Sequence, residues 1–177
     1  YLIDKFQLNN YFNEEKLVAI ILGGPNKYYA FSDSDLTKIF EKIKINFIDN
    51  GHQAIVIPSM RTPQRIIEIA KKYFDEKELV INEIDKKAYL SALGLASYII
   101  VTCDSTSMIS EVATTGKPIF IAHMQSKRNN YRFKKFFQLF KEIGITRNLG
   151  DKVEIWTYEN FNEAERIATI VNKKLNN

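Results

Sequence analysis

Short runs of apolar residues recur along the chain, separated by segments in which apolar residues fall at helical spacing. The runs are rich in branched side chains and end at glycine, proline or polar residues, which is typical of strands buried on both faces of a parallel sheet. They predict five strands, at Leu17–Leu22, Ala54–Ile57, Leu79–Ile81, Tyr98–Val101 and Pro118–Ala122. The alternation of strand and helix predicts an α/β fold, a doubly wound parallel sheet with helices on both faces.

The segments between the strands carry start signals for helices. In the first of them, the apolar residues at helical spacing are Leu36, Ile39, Phe40, Ile43 and Phe47. The predicted helices run from Ser32 or Asp33 to about Asp49, from Thr62-Pro63 onward, from the cap Asp85 to Ala96, from Ser105 or Ser107 to Thr115, and from about Asn129 to Ile143. Ile155-Trp156 then predicts a short extended piece, and Asn160 or Asn162 predicts the start of a last helix.

Composition narrows the class of protein. A length of 177 residues with 45% hydrophobic residues suits one domain, or one half of a two-domain protein. The net charge of +4 permits attraction to phosphates and does not indicate nucleic acid as a partner. No apolar run is long enough to cross a bilayer, and residues Tyr1–Asn10 lack the order of a signal peptide, so we expect a cytoplasmic protein.

Polar residues follow four of the predicted strands. In parallel sheets, ligands bind at the loops that leave the carboxyl ends of the strands. The candidate binding residues in these loops are Gly23 and Gly24 after the first strand, Ser59, Arg61 and Thr62 after the second, Asp104, Ser105, Ser107, Met108 and Glu111 after the fourth, and His123 and Gln125 after the fifth. This shared edge predicts a ligand site.

The stretch from Asp104 to Glu111 is the most informative. Hydroxyl groups at a helix start lie beside free backbone amides, which bind phosphate oxygens. Glu111 lies one turn past Ser107, where its carboxylate can accept both hydroxyls of a ribose. The alternative is a purely structural capping arrangement with Glu111 near the positive helix end. Asp104 would repel a phosphate unless a cation or Arg61 lies near it.

The glycine pair and the arginine segment each have two interpretations. Gly23-Gly24 either directs amides at a phosphate or simply turns the chain. It is neither a GxGxxG nor a Walker loop, so no nicotinamide or other cofactor is predicted. The Ser59–Pro63 segment offers a guanidinium and hydroxyls at a helix N-terminus, an anion site. Otherwise it is a helix cap with a solvated arginine.

The two histidines and the one cysteine give no metal constellation, and a Cys103–His123 pair is the less favoured alternative to a structural thiol. His52 precedes the second strand, at the opposite edge, and is predicted to be a surface residue. His123 is predicted to contact a ligand. Cys103 excludes an internal disulfide and is predicted to be a buried structural thiol.

A basic region with interleaved phenylalanines follows the fifth strand. Its charged residues are Lys127, Arg128, Arg132, Lys134, Lys135, Lys141 and Arg147. Because the four phenylalanines between residues 133 and 140 share one helix face, they favour an amphipathic helix packed on the core. A phosphate, nucleic-acid or membrane surface is the alternative, and membrane binding requires those phenylalanines to be exposed.

Several stretches together resemble a known family. The run Val101–Ala122 (VTCDSTSMISEVATTGKPIFIA) resembles the VTxDSxSMxSEAxxTGKPV stretch of the mitochondrial-fission-protein-like family, whose bacterial members often carry the name nucleoside-diphosphate-sugar epimerase. Further agreement in order and spacing is found at Ile20–Tyr29, Ile57–Pro63, Arg132–Arg147 and Ile155–Ala168. The resemblance covers nearly the whole chain from Leu17 on. One departure is Lys87-Ala88-Tyr89, where the family often has Asn-Pro-Tyr.

The resemblance implies a Rossmann-like domain similar to the C-terminal, donor-binding half of a GT-B glycosyltransferase. Residues 1–16 would then be the link from an N-terminal domain, and 17–177 the nucleotide-sugar-binding domain. Glu111 would hold the ribose, while Gly24, Ser105 and Ser107 would approach the diphosphate. Arg61 would neutralise the diphosphate, and His123 and Gln125 would face the sugar or the base.

Three functions follow as expectations. The first is binding of a nucleotide-sugar, such as a UDP- or GDP-sugar, in a GT-B-type glycosyltransferase-like protein that needs no metal and whose catalytic base lies in its N-terminal domain. The second is a non-catalytic interaction protein of the same fold, linked to membrane or division processes, that associates with a membrane surface. The third is a non-hydrolysing NDP-sugar epimerase with His123 as its base. The GxGxxG loop of nicotinamide-dependent epimerases is missing.

Overall fold

The computed structural model of the chain describes residues 1–2, 16–74, 79–159, 171–172 and 174. Six strands form one parallel sheet in the order β3-β2-β1-β4-β5-β6. The strands are β1 (Leu17–Leu22), β2 (Gln53–Pro58), β3 (Leu79–Val80), β4 (Tyr98–Thr102), β5 (Ile119–Ala122) and β6 (Thr146–Asn148). The predicted doubly wound α/β fold is confirmed, and the five predicted strands occupy adjacent positions from β3 at one edge to β5.

Five α-helices connect the strands. They are α1 (Asp33–Asn46), α2 (Gln64–Tyr73), α3 (Lys86–Leu95), α4 (Thr106–Ala113) and α5 (Tyr131–Glu142), and a 3-10 turn at Ile48–Asn50 follows α1. Ser32 and Asp85 cap α1 and α3 as predicted, accepting hydrogen bonds from the amides of Asp35 and Ala88. Of the two candidates for α4, Ser105 is the cap and accepts from the Met108 amide.

The start of α2 differs from the prediction. Pro63, and not Thr62, is the residue before the helix, and no side chain caps it. Thr62 turns its hydroxyl towards β1 instead, where the oxygen lies 2.8 Å from the carbonyl oxygens of Leu22 and Gly23. Thr62 therefore fastens the end of β1 to the loop after β2.

A short edge strand, β6, was not predicted. Its three residues, Thr146–Asn148, carry no apolar run, and they join the sheet through backbone pairing with β5. The predicted extended piece at Ile155-Trp156 is not a strand. The Trp156 ring packs edge-on against Phe120 at 5.2 Å and lies 4.1 Å from the Arg147 guanidinium. The apolar Trp156 side chain in this segment is therefore explained by its packing onto the sheet.

The sheet forms the centre of the core. All residues of β1, β4 and β5 are buried, as expected for strands covered on both faces. Leu2 also lies in this core, and the Tyr1 hydroxyl donates to Asp85 Oδ2 at 2.6 Å. The rest of the predicted 1–16 link, apart from Lys16, falls outside the described residues. So does the predicted start of the last helix.

The basic helix α5 packs its phenylalanines inward. Phe140 is buried, and the other three phenylalanines, Phe133, Phe136 and Phe137, are half-buried against the core. This is the amphipathic arrangement predicted for the helix, and it removes the exposed phenylalanine face that the membrane alternative requires. Among the helices in the described part of the chain, none has the length and apolar character needed to span a membrane.

Candidate functional site

The strand order places the site. β1 is flanked by β2 and β4, with Ile21 in register with Ile57 on one side and Val101 on the other. The chain leaves β1 in one direction along the sheet and β4 in the other, so the loops after these strands diverge and leave a crevice. Because the carboxyl ends of β2, β1 and β4 lie side by side, the polar loops that follow these three strands surround the crevice.

A buried carboxylate ties the three loops together. The Asp104 side chain is 0% exposed, and its Oδ2 lies 2.7 Å from Arg61 Nη2. Oδ1 accepts from the Thr102 hydroxyl at 2.7 Å, and Oδ2 also accepts from the Gly24 amide at 3.2 Å. Burial raises the pKa of Asp104, and these donors and the Arg61 charge counter that rise. Arg61 thus supplies the positive charge that we expected beside the Asp104 carboxylate.

Both glycines are required by this packing. A Cβ atom on Gly23 would lie 2.1 Å from Asp104 Oδ1, and one on Gly24 would lie 1.8 Å from the Arg61 carbonyl oxygen. Their amides donate within the protein, that of Gly23 to Thr102 Oγ1 at 2.8 Å and that of Gly24 to Asp104. The glycines let the loops after β1, β2 and β4 approach one another behind the crevice.

In front of this junction lies a cleft of about 470 Å³. It is bounded by the loop after β2, by α3 and the loop before it, and by the first turns of α4, and we call it the switch-point cleft. Six predicted site residues line it: Ser59, Arg61, Ser105, Ser107, Met108 and Glu111. Its other lining residues were not predicted from the sequence: they are Ile21, Pro58, Met60, Ile84, Asp85, Lys86 and Tyr89.

The start of α4 forms one wall of the cleft. Ser105 Oγ accepts from the Met108 amide at 3.4 Å and lies 3.0 Å from Ser107 Oγ. Ser107 and Glu111 are exposed, and Arg61, whose side chain is 42% exposed, faces the same space. The positive end of the helix and the guanidinium together suit an anion, with a carboxylate one turn further along the helix.

The opposite wall comes from α3, which was not assigned to the site from the sequence although its start at Asp85 was predicted. The Tyr89 hydroxyl is buried and lies near the Glu111 carboxylate, with no hydrogen bond of normal length and angle to a described residue. Burial raises the pKa of the Tyr89 phenol, and the nearby Glu111 carboxylate raises it further. Tyr89 could have been identified from its position one turn into a helix that starts at the edge of the sheet where ligands bind.

His123 and Gln125 do not line the switch-point cleft. Gln125 is exposed. His123 Nε2 lies 2.9 Å from Asn148 Oδ1, and the imidazole packs against Phe137 with ring centroids 4.9 Å apart. It faces a second cleft of about 480 Å³ beside α1. The surrounding protein removes water from the ring and lowers the pKa of His123.

The remaining reactive side chains are structural. Cys103 is buried, as predicted, and burial raises the pKa of its thiol to about 12. The surface prediction for His52 is wrong: the ring is half-buried between Phe47 and Tyr98, with Nδ1 3.1 Å from the Phe47 carbonyl oxygen. Within the described ranges, no group of histidine, cysteine and acidic residues is arranged to hold a metal ion.

Solved structures share this architecture. A candidate UDP-N-acetylglucosamine 2-epimerase from Listeria monocytogenes matches with a TM-score of 0.53 at 13% sequence identity, over 100% of this chain and 40% of that one. MnaA of S. aureus, solved with UDP, matches with a TM-score of 0.51 at 13% identity, over 99% of this chain and 48% of that one. These similarities confirm the Rossmann-like α/β fold.

Sequence comparison points to one family. The chain is 31% identical over 165 residues to an uncharacterized protein of Rickettsia prowazekii (strain Madrid E), covering 89% of this chain and 46% of that protein. It is 24% identical over 164 residues to the mitochondrial fission protein ELM1 of Arabidopsis thaliana, covering 90% and 38%. The chain spans less than half the length of both relatives. Because a sequence model of the mitochondrial fission ELM1 family matches residues 5–175, nearly the whole chain, the protein belongs to that family.

Proposed function

We propose that the switch-point cleft binds a nucleoside diphosphate-sugar, and that the chain is the donor-binding domain of a GT-B-type glycosyltransferase-like protein. One observation carries the proposal. Arg61 and the start of α4, which suit an anion, line the same cleft as the Glu111 carboxylate four residues after Ser107. Four residues advance about 6 Å along a helix axis, which suits the separation between a diphosphate and the ribose that carries it.

Arg61 has the central electrostatic role in this proposal. Its pairing with Asp104 fixes the guanidinium, and its exposed part is available to a diphosphate. A fixed cation and a helix N-terminus stabilise negative charge on a leaving diphosphate without reorganisation during the reaction. Transfer itself would use a base and an acceptor site from outside this chain, so the 177 residues are expected to bind a donor without turning it over.

The similarity to a protein solved with UDP supports the choice of ligand class. At 13% identity it carries the fold only, so the ligand proposal depends on the chemistry of the cleft. The epimerase alternative loses support because its candidate base, His123, lies outside the cleft. The membrane-linked alternative loses support because the α5 phenylalanines pack inward.

Calorimetric titration of the chain with UDP, GDP and their sugars tests the proposal. We expect saturable binding of one nucleotide series, and a loss of about tenfold or more in affinity in Glu111→Ala, because the carboxylate accepts two ribose hydroxyls. Glu68→Ala is the matched control, since Glu68 is exposed on α2, away from the cleft. Absence of binding at millimolar nucleotide, or equal binding by Glu111→Ala, would contradict the proposal.

A further inference from the structure

The Tyr89 hydroxyl is an unused hydrogen-bonding group at the wall of the cleft. Its oxygen is buried and has no hydrogen bond of normal length and angle among the described residues; the Glu111 carboxylate lies near it, and the side chain lines the space. Buried hydroxyl groups in folded proteins nearly always have a partner, and an exception calls for an explanation. Replacing this tyrosine by phenylalanine would remove the unpaired group at no loss of packing. The hydroxyl therefore points to a partner that arrives with a ligand.

The Tyr89 hydroxyl is a hydrogen-bond donor at neutral pH, since an ordinary phenol keeps its proton there. Burial and the neighbouring Glu111 carboxylate raise the pKa of Tyr89 further. Tyr89 projects from α3 and Glu111 from α4, and both line the switch-point cleft. The Tyr89 hydroxyl, which is a donor, thus lies next to the Glu111 carboxylate, which has two acceptor oxygens. A pair of adjacent hydroxyl groups matches this set, because each hydroxyl can both donate and accept.

The cleft also has an apolar rim near this pair. Met60 is 90% exposed and Ile84 is 57% exposed, and both line the cleft. Exposed large apolar side chains that converge on one cleft mark a binding surface more often than scattered ones do. Methionine packs well against flat aromatic rings, because its thioether is polarizable and its chain flexible. These two side chains suit a planar nucleobase.

We propose that Tyr89 is a positioning residue that holds the ribose of the ligand together with Glu111, and that the base lies on Met60 and Ile84. This inference rests on the proposed function and makes it more specific. The 2′ and 3′ hydroxyls donate to the Glu111 carboxylate, and the Tyr89 hydroxyl donates to the oxygen of one of them. The preferred ligand is therefore a ribonucleotide, since removal of the 2′ hydroxyl leaves buried polar groups unpaired.

Titration of the chain with UDP, 2′-deoxy-UDP and the two guanosine analogues tests this inference. We expect the ribonucleotide to bind about tenfold more tightly than its deoxy form. Tyr89→Phe should lower affinity for the ribonucleotide about tenfold and bring the two forms close together, while the thermal unfolding temperature stays at or above that of the parent chain. Tyr73→Phe, on α2, is the control and should change neither affinity nor preference.

The outcomes separate the two proposals. If the ribonucleotide binds and Glu111→Ala abolishes binding while Tyr89→Phe keeps the full affinity and ribose preference, the role of Tyr89 is wrong and the nucleotide-sugar proposal stands. If neither nucleotide form binds the parent chain, the proposed function is wrong and the role of Tyr89 falls with it. A Tyr89→Phe variant that unfolds at a clearly lower temperature would also contradict the inference, because it would make the hydroxyl structural.

Discussion

At the scale of single residues, the junction behind the cleft explains why two glycines follow β1. Their amides serve Thr102 and Asp104, and their missing side chains let the loops after β1, β2 and β4 touch. The requirement for glycine thus comes from the packing of protein against protein, with no need for a phosphate at that position. The same contacts fix Arg61, through Asp104, at the edge of the cleft.

Gly24→Ala should lower the free energy of unfolding by about 3 kcal/mol, because the new methyl group would overlap a backbone oxygen that cannot rotate away. Gly94→Ala is the matched control. Gly94 is exposed within α3, and an added Cβ would meet nothing within 4 Å, so this change should raise stability by up to about 1 kcal/mol. Urea denaturation of both variants measures the difference. Equal stabilities would show that the loops do not pack as described.

At the scale of elements, the sequence predicted what depends on local pattern. The run Leu17–Leu22 is predictable because six consecutive apolar residues are typical of a strand that is buried on both of its faces. Thr146–Asn148 is not, because an edge strand can pair through its backbone without an apolar face. Ser105 and Glu111 are predictable from a helix start at a ligand edge. Tyr89 joins them only because α3 packs against β1 and β2, which is a tertiary relation.

Helix α5 offers a matched test of its inward face. Phe140 is buried and its ring stacks on that of Phe136 at 4.1 Å, whereas the neighbouring Leu139 is 51% exposed. Phe140→Ala should lower the free energy of unfolding by about 3–5 kcal/mol, because it leaves a cavity in the core. Leu139→Ala should change it by less than about 1 kcal/mol. Urea denaturation of the two variants compares them, and the reverse ranking would mean that α5 presents its phenylalanines to the outside.

At the scale of the whole molecule, two histidines report on the protonation of the folded state. The surrounding protein restricts the water around both rings and lowers the pKa of half-buried His52 and of His123, whose side chain remains partly exposed. The unfolded chain therefore binds more protons than the folded chain between the folded and unfolded pKa values, and stability rises with pH across that window. Their contribution is complete above the ordinary histidine pKa and is lost as the pH falls through the lowered values.

We therefore expect the free energy of unfolding to decrease as the pH is lowered from about 7.5 to about 5.5, the range in which histidine titrates. Urea denaturation of the parent chain and of the His52→Gln, His123→Gln double variant measures the two slopes. The double variant should show the flatter dependence, whatever its stability at neutral pH. A parent chain that gains stability on acidification across this range would contradict the lowered pKa values.

We propose that a nucleotide occupies the cleft between the loop after β2, α3 and the start of α4. Amide hydrogen exchange of the chain, measured with and without saturating UDP or GDP, both detects the ligand and locates it. We expect slower exchange in residues 59–61, 84–89 and 105–111. Slower exchange confined to α1 and the region of His123, or no change with either nucleotide, would contradict it.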